Sequence, residues 1–215
     1  MEAKESSILD AAEKIFAEAG FDGAKVSDIA RAASVAEGTV YLYYKNKQDL
    51  LAGVVGRFWT QLTLGAEAAI EPDTTTAMQL EQLGRYHLQS LLNQFEVVSL
   101  TYRARPQQEQ DLDQVREYVR VFDRIMQRGV DRDELPKDIS IGQLRDVFFG
   151  TLEFSARTLK LRERPYDHSV VSNLLYIMVG STNATSGASK DKEPSNRDLM
   201  NALKSIQKQL RATDN

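Results

Sequence analysis

Residues 20 to 50 read GFDGAKVSDIARAASVAEGTVYLYYKNKQDL, and the chemistry this stretch can do is hydrogen bonding and charge pairing with nucleic acid. Lys25, Lys45 and Lys47 bring cations to it, and Tyr41-Leu42-Tyr43-Tyr44 forms a tyrosine-rich run between the last two of them and the first. The elements that must position these groups follow from spacing. A short helix, Val26 to Ala33, leads into a tight turn, Ser34 to Ala36. A second short helix begins near Glu37 and ends in the tyrosine-rich run. Two short helices joined steeply through a three- or four-residue turn make a helix-turn-helix, whose second helix lies in the DNA major groove. Ile29, Ala30, Ala33, Val35, Val40 and Tyr44 are spaced to pack one helix across the other, while the positions between them stay polar or aromatic and outward. The expectation is a DNA-binding head.

Composition points away from catalysis. The 215-residue chain has no cysteine, which excludes disulfides, thiolate nucleophiles and cysteine-ligated zinc. Its two histidines, His87 and His168, are isolated in sequence, so a metal site is not expected. There is no Gly-rich phosphate loop and no nucleophile motif with its base, so neither an enzyme nor a cofactor is expected. No apolar run reaches the ~18 residues of a spanning helix, and the N-terminus lacks a signal peptide's apolar core. These features imply a soluble cytoplasmic protein without a membrane partner.

Net charge is −4, and residues 1 to 50 hold six Lys/Arg against nine Asp/Glu. Charge balance alone would not suggest nucleic acid. Position counts for more, because most of the acids lie on the first helix while the lysines flank the two short ones. Helix N-termini also offer free N–H groups to phosphate. Specific but strongly salt-sensitive binding is expected.

The rest of the chain reads as all-α. The first helix, Ile8 to Gly20, has an apolar stripe of Ile8, Ala11, Ala12, Ile15 and Phe16. A long helix from Lys47 to about Ile70 carries Leu50, Leu51, Val54, Val55 and Phe58, and Glu71-Pro72-Asp73 breaks it. Helices follow over Thr76 to Gln94, Val97 to Arg103, and Gln108 to Gly129, with Gly129 as C-cap. The stripe of the last is Leu112, Val115, Val119, Phe122, Ile125 and Met126. Two more helices, Ile141 to Leu161 and Asp167 to Val179, complete the body, and Gly150 among Val147, Phe148 and Phe149 allows close helix approach. Residues 181 to 194 read as a linker. Ser195 with Asp198 resembles a capping box before a stripe of Leu199, Leu203, Ile206 and Leu210, expected to dock on the body or on a second subunit, with a separate coiled coil as the alternative. The domains expected are 1–48 for DNA, 49–181 for ligand and dimerisation, and 182–215 for the linker and an added C-terminal amphipathic helix.

The run VAEGTVYLYYKNKQDLL, with ILDAAEKIFAEAG before it, resembles the TetR family of bacterial one-component regulators. The resemblance implies an N-terminal three-helix DNA-binding domain followed by a helical ligand-binding domain. It also implies a homodimer, built by the Ile141–Leu161 and Asp167–Val179 pair meeting its copy in a four-helix bundle, on paired half-sites of double-stranded operator DNA. By position in the family motif, Glu37, Gly38, Thr39, Tyr41 and Tyr43 face the groove and Lys47 meets phosphate. Glu37 has cytosine N4 as an alternative partner. Two departures from the motif are Lys25, where the usual threonine cap stands, and Ser27, where relatives carry a base-reading arginine.

The same segment with VFFGTLEFSARTLKLRERPYD is similar to the FadR-type branch, repressors of fatty-acid degradation released from DNA by long-chain acyl-CoA. That ligand needs an apolar tunnel and cations at its mouth. The residues matching these needs are Phe58, Trp59, Leu88, Leu92, Phe95, Phe122 and Phe149 for the tunnel, with Arg103, Arg105, Arg157 and Lys160 for the phosphates. About a third of the apolar set is expected to line a cavity. The alternative is a TetR-type repressor of efflux or another pathway, sensing a different hydrophobic small molecule.

Overall fold

The computed structural model describes residues 3–101 and 113–186, with only the backbone given for residue 101 and residues 179–186. Among the described residues it is all helix. The order is α1 (Ala3–Gly23), α2 (Val26–Ala32), α3 (Glu37–Tyr43), α4 (Lys47–Ala69), α5 (Thr76–Asn93), α6 (Phe95–Thr101), α7 (Asp113–Asp131), α8 (Ile141–Leu161) and α9 (His168–Ser186).

The first three helices form the head. Ile8, Leu9, Ala11, Ala12 and Phe16 of α1 are buried against Ile29, Ala30 and Val40. Gly20 has φ +69°, the left-handed conformation that costs glycine little, and it breaks α1 so that Phe21 can turn back onto Phe16 at 5.7 Å. The α2–α3 turn is closed by backbone bonds from Ala33 N to Ile29 O (2.9 Å) and Val35 N to Ala30 O (3.0 Å), with Ser34 at φ 56°. Tyr44, expected inside, is half-buried because its hydroxyl donates to Glu5 Oε1 at 3.2 Å and must reach the rim. Burial and the neighbouring carboxylate push this phenol up to about 12.

Helix α4 joins head to body. Asn46 caps it, accepting from Asp49 N at 2.8 Å. Leu50, Leu51, Val54 and Phe58 are buried along it. Arg57, only 9% exposed, reaches back to α1 and binds Asp10 Oδ1 (2.5 Å) and Glu13 Oε2 (2.7 Å). This arrangement offsets part of the head's acidic balance, since one Arg57 charge from outside residues 1–50 is shared by two of its carboxylates. Asp28 likewise holds Arg31 at 2.6 Å.

In the body α5 packs against α4, α7, α8 and α9, and α7 against α4 and α8. The turn before α5 is organised by buried Gln79, whose amide donates to Pro72 O (2.9 Å) and Thr74 O (3.0 Å). Glu134 accepts from Thr76 N at 2.7 Å, and that bond holds its carboxyl below the usual range.

Three readings of the sequence need correction. The buried stripe of α7 is Tyr118, Val121, Phe122, Ile125 and Met126, rotated from the expected one, with Val115 and Val119 only half-buried. Gly129 does not cap α7. The helix runs on to Asp131, and Gly129 is where Thr76 crosses it: a Cβ there would overlap the threonine side chain and lie 2.9 Å from Leu135 Cδ1. The left-handed residue after the helix is Asp133, at φ 56°. Finally, α9 continues to Ser186 instead of ending at Val179, because the run Ser-Thr-Asn-Ala-Thr-Ser contains no glycine or proline to stop it. The predicted C-terminal helix lies outside the described residues, as does Leu112.

The body's core also holds a histidine. His87 is 1% exposed, its Nδ1 stands 2.6 Å from Tyr118 Oη, and burial pushes its imidazole down to about 3. The unfolded chain protonates this residue near 6.5 and the folded chain does not, so stability is lost as pH falls below 6.5. Between pH 6.5 and 5 the loss from this group is about 2 kcal/mol. Urea titrations at both pH values should give a smaller pH difference for His87→Phe than for the parent chain. An identical difference in the two proteins would remove His87 from the acid limb.

Candidate functional site

The outward face of the helix-turn-helix is α3. Glu37 and Gly38 are exposed at its start, Thr39 is half-buried, Tyr41 is 48% exposed and Leu42 is 84% exposed. Val40 turns inward and holds the helix on the head. Among the described residues Gly38 has open space beside it: a Cβ built there would meet nothing within 4 Å. Tyr43 packs partly against the apolar core, so its ring faces the head more than the expected reading implied.

At the rim, Lys25 precedes α2 in extended conformation and makes no side-chain cap, as its chemistry requires. Ser27 and Lys45 are exposed. Lys47 has a structural task that its expected phosphate contact did not include. Its ammonium donates to Asp22 O (3.2 Å) and Ala24 O (3.0 Å) and lies 4.7 Å from the Phe21 ring. It ties the start of α4 to the end of α1 and has one remaining N–H for any outside acceptor. Leu42 was missed by sequence reasoning. It lay in view inside the tyrosine-rich run, and its position on the outward face of α3 was the only signal.

The predicted ligand residues divide into two groups. Phe58, Leu88, Phe122 and Phe149 are buried core, and half-buried Trp59 packs on Phe58 at 5.3 Å and Tyr118 at 5.8 Å. Leu92, Phe95, Arg157 and Lys160 line surface clefts at the junction of α5, α6 and α8. One cleft, about 250 Å³, has Leu91, Phe95, Val98, Ala156 and Leu161 as apolar lining and Glu153 and Arg157 as charged lining. A second, about 440 Å³, runs from Phe95 to Asp10, Glu13 and Lys14 of α1, with Lys160 alongside. Phe95 lies between the two, and the Lys160 ammonium sits 5.7 Å over its ring. Arg157 and Lys160 line different clefts, and one of the Lys160 clefts brings the body into contact with the head. Arg103 and Arg105 lie outside the described residues.

Sequence reasoning passed over His87 and Tyr118, which meet in the core among Trp59, Phe122 and Phe149. A histidine within the leucine stripe of α5 (Leu80, Leu83, Leu88, Leu91) was the available signal.

A clear outer face is formed by α8 and α9. Val147, Phe154 and Leu161 on α8 are 48%, 72% and 77% exposed, and Tyr176 and Ile177 on α9 are 81% and 63% exposed. Gly150 lies on the same face, and a Cβ there would meet nothing within 4 Å, so it does not serve packing among the described residues. Among the described residues no helix is long and apolar enough to cross a membrane.

Two family models match successive parts of the chain. The model of bacterial regulatory proteins of the tetR family matches residues 8–54, and that of the C-terminal region of YsiA-like protein matches residues 59–181. The fatty acid metabolism regulator protein of Bacillus subtilis (strain 168) is 29% identical over 175 residues, covering 79% of this chain and 90% of that protein. The crystal structure of the transcriptional regulator FadR from Bacillus subtilis in complex with stearoyl-CoA superposes with a TM-score of 0.69 at 26% identity, covering 81% of this chain and 97% of that one. The fatty acid degradation regulator FadR from Bacillus halodurans gives a TM-score of 0.69 at 23% identity over 83% and 96% of the two chains. The head matches the first of these family models and most of the body the second, and the chain belongs to the tetR family of bacterial regulatory proteins.

Proposed function

We propose that this chain is a homodimeric, cytoplasmic repressor of fatty-acid metabolism that leaves its operator on binding long-chain acyl-CoA. The observation that carries the effector is the likeness, along most of the chain, to a regulator whose crystal structure holds stearoyl-CoA. The functional division follows the sequence reading: 1–48 for DNA, 49–181 for ligand and dimerisation, and 182–215 as an appended segment.

Operator recognition falls to the outward face of α3, with Gly38 admitting the DNA backbone, Thr39, Tyr41 and Tyr43 donating to phosphates or base edges, and Glu37 facing the groove. Lys25, Ser27 and the remaining N–H of Lys47 meet flanking phosphates. Arg157 and Lys160, at the cleft mouths, attract the phosphates of CoA, and the hydrocarbon enters between α5, α7 and α8 by displacing side chains that now fill the space. A ligand that fits one arrangement of the body better shifts the dimer toward it. Helix α4 and its Arg57 clamp carry that shift to the head. A tenfold fall in occupancy needs about 1.4 kcal/mol of coupling.

The test is fluorescence anisotropy on DNA from the protein's own promoter. Palmitoyl-CoA at low micromolar concentration should release the DNA, while free palmitate and free CoA leave it bound. Salt-sensitive DNA binding that ignores palmitoyl-CoA would keep the regulator and discard this effector in favour of another hydrophobic molecule.

A further inference from the structure

His87 and Tyr118 form a polar pair in the driest part of the body. Both are 1% exposed, and both are ringed by aromatic groups: Phe149 stands edge-on to His87 at 5.0 Å, and Trp59 lies 5.8 Å from Tyr118. Only one side of the imidazole is satisfied. Nδ1 pairs with Tyr118 Oη, and Nε2 is buried without a hydrogen-bond partner.

Bond strength fixes the arrangement, since either tautomer leaves one donor and one acceptor unmatched. If Nδ1 carried the proton, it would donate to a phenol oxygen, a weak acceptor. If the tyrosine O–H donates to Nδ1, an acidic donor meets a basic nitrogen and the proton sits on Nε2. The second arrangement makes the stronger bond and is therefore favoured. The imidazole stays neutral there because the surroundings are apolar. The result is a fixed hydrogen-bond donor with nothing to donate to, a costly feature for a core to keep without use.

The two helices that hold this pair also line a cleft of the body. Leu91 is one helical turn beyond His87 on α5, Glu153 is one turn beyond Phe149 on α8, and both line the 250 Å³ cleft together with Arg157. A ligand entering there, headgroup at the mouth and hydrocarbon inward, passes from charged to apolar surroundings. In an acyl thioester of CoA the last acceptor before the hydrocarbon is the thioester carbonyl oxygen. We infer that His87 Nε2–H donates a hydrogen bond to the thioester carbonyl of the bound acyl-CoA, with Tyr118 as the positioning residue that holds the imidazole in that tautomer. The inference rests on the acyl-CoA reading of the effector. It adds a polar selection step: the chamber distinguishes an acyl thioester from any equally long hydrocarbon that lacks the carbonyl.

The probes are palmitoyl-CoA and its thioether analogue S-hexadecyl-CoA, which keeps CoA and chain but has a methylene in place of the carbonyl. Binding of each to the full-length protein is measured by calorimetry, and DNA release by anisotropy. The parent chain should bind the thioester about tenfold more tightly than the thioether. His87→Phe keeps an aromatic ring but has no N–H, and it should bind the two equally. His87→Gln restores a donor and should recover part of the preference. Equal binding of both probes by the parent chain, which needs no variant, overturns the inference and leaves the acyl-CoA reading standing. A full tenfold preference retained in folded His87→Phe overturns it as well. If neither probe binds the parent chain, the effector reading itself fails, and this inference with it.

Discussion

Gly38→Ala should bind operator DNA at least tenfold more weakly than the parent chain while melting no earlier. The two halves of this expectation have separate causes. Among the described residues this position is free of constraint, since a Cβ at position 38 would meet nothing within 4 Å and the backbone there is ordinary right-handed helix. Alanine also suits a helix better than glycine by up to about 1 kcal/mol, so the fold gains slightly or stays level. Packing among the described residues therefore does not require glycine at this site. The proposed groove-facing position does, because a methyl group there would hold the DNA backbone away from the start of α3. Thermal melting read beside anisotropy titrations at two salt concentrations separates these effects. The affinity should fall by a similar factor at both concentrations, since no charged phosphate contact is removed. Unchanged affinity would mean that this end of α3 does not approach the DNA, and the orientation of the head on the operator would have to be redrawn.

The helix-turn-helix was the most legible part of the chain because its constraints are local. Ile29, Ala30 and Val40 must be apolar to cross two short helices, and they are buried. Helix α4 was legible for a similar reason: its stripe is regular and Pro72 ends it. The stripe of α7 was harder to place. Val115, Val119, Phe122 and Met126 make a good helical face on hydropathy alone, but tyrosine carries both a ring and a hydroxyl, and leaving Tyr118 out of the stripe misplaced its first half. What buries it is His87, a partner 31 residues away that local pattern does not reveal. Gly129 shows the same limit. A glycine near a helix end resembles a cap, and only the crossing of Thr76 shows that small size was the requirement.

The head's charge was legible as a sum and misleading as one. Asp10 and Glu13 count against nucleic acid in sequence, but Arg57 of α4 gathers both. That clamp joins the head to the helix that enters the body, so the same acids that lower the head's net charge also fasten it to α4. The ligand residues were legible only by type. Apolar side chains that fill a core and those that line a chamber have the same chemistry, and the split between buried Phe122 and cleft-lining Phe95 depends on where α6 turns.

Phe154→Glu should convert the proposed dimer to monomer at micromolar concentration and abolish tight operator binding. In the single chain Phe154 is 72% exposed, flanked on the same face by Val147, Leu161 and the open surface of Gly150, with Tyr176 and Ile177 beside them on α9. Burying one phenylalanine is worth about 1.5–3 kcal/mol, and a two-fold interface buries each residue twice. Losing both copies weakens association by about 3–6 kcal/mol, or 10²–10⁴-fold, before the cost of bringing two carboxylates together. Folding should be unaffected, since a surface glutamate on α8 suits the helix and replaces no buried contact within the chain. A monomer offers one head where the operator presents two half-sites about 34–36 Å apart, so the second recognition event and its affinity are both lost. Sedimentation velocity reads the association state and anisotropy reads the operator. A variant that sediments as a dimer and binds DNA as the parent does would show that α8 and α9 do not form the subunit interface. One that sediments as a monomer yet keeps full affinity would show that a single head suffices, and the paired half-site reading would go with it.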